Sequence, residues 1–137
     1  MSLTKAEIQR LVEARAGYRY EYCRMHQSLQ GASFHLEHIA PISLGGTDDL
    51  DNLAWACPGC NLKKSNRVTA LDPATGTAVR LLHPRLDRWE DHLAWQGYVL
   101  IGLTPLGRAL VAAFDLNQER RCRVRQAEAL FGLFPPS

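Results

Sequence analysis

His35-Leu36-Glu37-His38-Ile39-Ala40-Pro41-Ile42-Ser43-Leu44-Gly45-Gly46, then Asn52-Leu53, then Cys57-Pro58-Gly59-Cys60-Asn61-Leu62-Lys63-Lys64, is the stretch on which the reading of this chain turns. Phe34 to Ile39 has the composition of a strand and is stopped by Pro41. Leu44 to Asp49 reads as loop, Asn52 to Ala56 as a second short strand, and Cys57 to Cys60 as a tight turn. Asn61 to Asn66 opens a helix. Successive side chains on a strand point to opposite faces, so Glu37 and His38 share a site only where the strand ends or twists into a loop. Pro41 and Gly45-Gly46 supply that loop. Lys64 and Arg67 follow Asn61 along roughly one helical face.

These residue types suit metal-assisted hydrolysis of a phosphodiester. A carboxylate oxygen from Glu37 and an amide oxygen from Asn61 are hard donors for Mg²⁺ or Mn²⁺. Neutral His38 can take a proton from an attacking water. An ion held there polarises the phosphate and stabilises the leaving oxygen. Lys64, Arg67 and a helix N-terminus favour an anion beside it.

In its ordered combination, the stretch resembles the HNH endonucleases, and more narrowly their HNN variant, with Asn61 standing where the final histidine would be. The resemblance covers about residues 18–67. A second run looks like the tail of a bacterial HNH subfamily: Leu82-His83-Pro84-Arg85, Trp89 to His92, Gly102 to Arg108 and Leu116-Asn117. The resemblance implies a ββα-metal core that cuts or nicks DNA, leaving a 5′-phosphate and a 3′-hydroxyl. It implies His38 as general base, Glu37 and Asn61 as ligands of one divalent ion, and Asn52 as the brace that orients the His38 ring. It also implies two Cys-x-x-Cys knuckles around a structural Zn²⁺. Here Cys57 and Cys60 form the second knuckle, while the first reads Tyr20-Glu21-Tyr22-Cys23. Three cysteines do not fill a tetrahedral site. Either His26 or the remote Cys122 completes it, the latter only if the last helix folds back, or no zinc binds and Tyr20 fills the space.

Outward from the motif, Thr4-Lys5-Ala6-Glu7 fits a capping box, and Ile8, Leu11 and Val12 form a helical stripe ended by Gly17. Beyond residue 69, Asp72 to Gly76 is turn chemistry between short strands. Thr104-Pro105 starts a helix over Leu106 to Phe114, and Asn117 caps a last one to about Leu130, ended by Gly132. The expected class is α+β: an N-terminal helix, the motif core and a mixed α/β extension over about 69–137, within one domain spanning 1–137.

The 137 residues are 46% apolar and 22% charged, which is enough apolar content for a packed core and excludes wholesale disorder. Apolar runs such as Gly97 to Leu103 are far too short to span a bilayer, so no membrane partner is expected. The first residues lack a signal-peptide apolar region, which makes the cytoplasm the expected location. A net charge of +2 gives no bulk drive toward nucleic acid. DNA, with RNA as the other polyphosphate, is therefore expected to be gripped locally and with weak sequence preference. The arginines at 120, 121, 123 and 125 read as a solvated helix side, and Trp55, Trp89 and Trp95 as core. Cutting both strands would favour a homodimer, whereas a monomer would mostly nick. The alternative function is a nuclease-derived module that binds nucleic acid through Lys64 and Arg67 without useful catalysis.

Overall fold

The computed structural model describes residues 3–29 and 35–136; Phe34, the expected start of the first strand, lies outside them. Helix α1 (Lys5–Arg15) begins at the expected capping box, with the Thr4 and Glu7 side chains each accepting from the other's backbone N–H. Its end has Schellman bonds, Gly17 N–H to Ala14 O and Tyr18 N–H to Glu13 O, with Gly17 at φ +65°. The expected stripe is only partly buried: Val12 is in the core and Ile8 packs against it, but Leu11 is exposed.

The motif core is a hairpin and a helix. Strands β1 (His35–His38) and β2 (Leu53–Ala56) pair antiparallel, with Glu37 opposite Ala54 and His38 opposite Leu53. All of β2 is buried, so it reads as a short apolar run. The loop between them turns back on Gly45, at φ +90°, and passes Gly46, where a Cβ would lie 1.7 Å from the Ala40 carbonyl oxygen. Helix α2 (Pro58–Lys64) starts three residues before the expected Asn61. Proline is tolerated in a first turn, and Cys57 Sγ caps the helix by accepting from Cys60 N–H. The expected tight turn is therefore the helix's own first turn.

The extension contains two more hairpins, β3 (Thr69–Leu71) with β4 (Ala78–Arg80), and β5 (Leu93–Gln96) with β6 (Val99–Gly102). It also contains the single turn α3 (Trp89–His92) and helices α4 (Pro105–Ala113) and α5 (Glu119–Leu130). Thr104 caps α4 through Gly107 N–H, as expected. Asn117 does not cap α5. Its side chain instead accepts from Leu100 N–H and donates to Leu100 O, both at 2.8 Å, and Gln118 takes the N-cap position. The whole is α+β, with a ββα core and a mixed extension.

The extension shares its core with the motif. The Tyr22 ring meets Phe114 edge-on at 5.4 Å, and Trp89 Nε1–H donates to Tyr22 O. Trp55 and Trp89 are buried and Trp95 packs against the core, as expected for structural tryptophans. No helix among the described residues is long and apolar enough to cross a membrane.

Candidate active site

Glu37 and His38 occupy the last two positions of β1, where the pleat gives way to the loop. Both line a cleft of about 380 Å³ with Asn61 on its α2 wall, and Leu36, Pro41, Ile42, Ser43, Ser65 and Asn66 complete it. The structure thus brings together the three residues expected to act on a phosphodiester.

Glu37 is buried and held on both oxygens. Tyr22 OH donates to Oε2 at 2.7 Å, and Lys64 Nζ lies 2.5 Å from Oε1. Burial raises the Glu37 carboxyl above its usual range, while Lys64 and Tyr22 pull it back. Tyr22 is pushed well up by burial and then by Glu37, so it remains a donor.

Lys64 departs from the phosphate-facing position expected for it. It is 1% exposed, and its ammonium also donates to the carbonyls of His38 and Ile39 at 3.2 and 3.0 Å. The charge is used at the end of β1. Arg67 is exposed and reaches the Ala113 carbonyl at 3.5 Å.

Asn52 braces the loop: its Oδ1 accepts from Ala40 N–H, and its Nδ2 donates to Ala40 O and Thr47 O. The His38 ring is met by another residue. Asp48 Oδ1 lies 2.7 Å from Nε2. His38 and Asp48 also line a second cleft of about 530 Å³, with Lys5, Gln9 and His35, so the imidazole stands on the wall between two openings. Sequence reasoning missed Asp48 and Tyr22, because neither lies at a telling spacing from His38 or Glu37. The only signal for Asp48 is its place in the loop that must return past the end of β1.

The donor set suits a hard divalent ion. Glu37 and Asn61 line one cleft, and each Glu37 carboxylate oxygen has a lone pair beyond the one Tyr22 or Lys64 uses.

The cysteines form a separate buried group. Cys23, Cys57 and Cys60 place their sulfurs within 4.8 Å of one another. His26 is not among them; its Nδ1 pairs with Ser28 Oγ at 2.7 Å. Helix α5 does fold back onto the knuckle, but Cys122 faces the Asn117 carbonyl, and the side chain that reaches the thiols is Arg121. Arg121 and Arg125 are buried at 3% and 0%, which corrects the reading of these two as part of a solvated side; Arg120 and Arg123 are exposed, as expected. They are four residues apart, one helical face, and each guanidinium finds acceptors there. Arg125 donates to Tyr98 O, Leu116 O and Asn117 Oδ1. Burial and the neighbouring Cys57 and Cys23 push the Tyr20 phenol up to about 12.

Residues 21–67 match the family described as HNH endonuclease. No curated protein and no solved structure matches the chain.

Proposed function

We propose that this chain, whose residues 21–67 match the HNH endonuclease family, is a metal-dependent nuclease that hydrolyses phosphodiester bonds in DNA. The observation that supports it is the convergence of Glu37, His38 and Asn61 on one cleft at the end of β1. A Mg²⁺ or Mn²⁺ ion held by Glu37 and Asn61 would supply Lewis-acid stabilisation of charge on the phosphate and the leaving oxygen. His38, as the neutral imidazole, takes a proton from water as the water oxygen attacks phosphorus. The bond from phosphorus to the 3′-oxygen breaks, leaving a 5′-phosphate and a 3′-hydroxyl. Asp48 holds Nε2 and so selects the tautomer, which leaves the other ring nitrogen to act as base. Asn52 fixes the loop that carries this arrangement. Exposed Arg67 is a cation available to the DNA backbone.

One observation favours a second reading, a nucleic-acid-binding module without useful catalysis: Lys64 already neutralises Glu37. Supercoiled plasmid separates the two. Wild type with Mn²⁺ or Mg²⁺ is expected to nick it, EDTA to stop nicking, and His38→Ala to lose about 10²–10⁴-fold, the usual worth of a general base. Equal nicking by both proteins sinks the role of His38; plasmid binding without any cleavage establishes the second reading.

A further inference from the structure

Where the family's structural zinc would sit, this chain has assembled three thiols and a guanidinium. Arg121 Nη2 lies 3.5 Å from Cys60 Sγ, and Nη1 lies 3.9 Å from Cys57 Sγ and 3.8 Å from Met25 Sδ. The three cysteines and Arg121 are all at most 3% exposed, so this is an interior contact. Room for it is built into the knuckle: a Cβ on Gly59 would come within 2.9 Å of Arg121 Nη2. Position 20, which would carry a fourth thiol, holds a tyrosine ring that is 1% exposed. The other two candidates for a fourth ligand, His26 and Cys122, are engaged elsewhere.

A tetrahedral zinc site needs four donors, and a fixed cation against two of the three sulfurs repels a second cation. A guanidinium, by contrast, can do part of what the metal does. It is always charged, it presents several N–H donors in one plane, and it is weakly hydrated, which makes it the cation best suited to burial. We propose that the knuckle of this protein is metal-free, and that Arg121 from α5 takes the structural place of the zinc ion, tying Cys57 and Cys60 to the last helix. The C-terminal extension of the same chain then supplies to the motif what a metal supplies within it.

The test is independent of nuclease activity. Full-length protein is purified, incubated with Zn²⁺ or Co²⁺, desalted, and analysed for metal content and for thiolate-to-cobalt charge-transfer absorption. That absorption reports only sulfur ligands, so an ion at Glu37 and Asn61 does not imitate it. The expected wild-type result is no such absorption. One tightly held zinc per chain with a thiolate-to-cobalt band overturns the proposal. The Tyr20→Cys/Arg121→Leu double variant restores a fourth thiol and removes the cation. It is expected to gain the band and one zinc per chain. If it folds and still takes no metal through sulfur, Arg121 is not what replaced zinc. The wild-type measurement decides whether the knuckle is metal-free even if the double variant does not fold.

Discussion

Single side chains carry the main surprises. Lys64 sits at a spacing that suits a phosphate contact, yet its ammonium is buried against Glu37. Removing one partner of a buried pair leaves the other charged and unpaired, which costs about 3–5 kcal/mol. Lys64→Met is therefore expected to destabilise the fold by about 3 kcal/mol, read from urea unfolding. A phosphate-binding lysine would leave stability unchanged and weaken DNA binding instead. Asp48 is the converse case, an exposed residue with a specific partner. Partners that orient a functional imidazole are typically worth about 10–100-fold in activity. Asp48→Asn is expected to slow nicking about tenfold with the fold intact by circular dichroism, and Asp48→Glu to recover part of the loss. Glu37, His38, Asn52 and Asn61 were legible in the sequence because their chemistry and order are tied to one local motif. Asp48, Tyr22 and Arg121 were not, because what marks them is contact across the fold.

At the scale of elements, local signals read well and neighbours decided the rest. The Thr4-Glu7 box and the Thr104-Pro105 start act within a single turn, and both appear where they are expected. Two boundaries moved for identifiable reasons. Helix α2 begins at Pro58 because the Cys57 sulfur serves as its cap. Asn117 could have capped α5, but the backbone of β6 claims it: Leu100 is 1% exposed, and both its N–H and its C=O use this one amide. Stranding buried backbone groups costs about 1–3 kcal/mol each. Asn117→Ala is expected to cost at least about 2 kcal/mol, clearly more than the loss of an ordinary N-cap, typically about 1 kcal/mol, which chemical denaturation can resolve.

Across the whole molecule, the extension is fastened to the motif and to itself by buried polar links. Glu128 on α5 accepts from His26 N–H at 2.7 Å, and Arg85 pairs with Glu21. Within the extension, Arg108 on α4 makes a two-pronged pair with Asp72, which stands before the β3–β4 turn, at 2.9 and 2.8 Å. That guanidinium, helped by Ala74 N–H and the Thr75 hydroxyl, holds the Asp72 carboxyl well below its ordinary value of 3.8. A depressed carboxyl contributes stability above its unfolded value, and the contribution fades as pH falls below that value toward the folded one. Wild type is expected to lose stability below about pH 4 more steeply than Asp72→Asn, which should be weaker at neutral pH and flatter toward acid. Urea midpoints measured from pH 3 to pH 7 would show it; parallel curves would remove Asp72 from the account.

The sequence by itself determined the ββα motif, the order of Glu37, His38 and Asn61 within it, the starts of α1 and α4, and the gap in the cysteine pattern at Tyr20. All of these depend on interactions within a few residues or on a fixed chemical order. Only the tertiary structure decided that Lys64 serves Glu37 rather than phosphate, that Asp48 holds His38, and that two arginines of an apparently solvated helix are buried. A charged side chain on a helix is read as solvated until the fold shows which surface that helix faces. Here α5 faces the knuckle, and a guanidinium finds there the sulfur and carbonyl acceptors that make its burial tolerable.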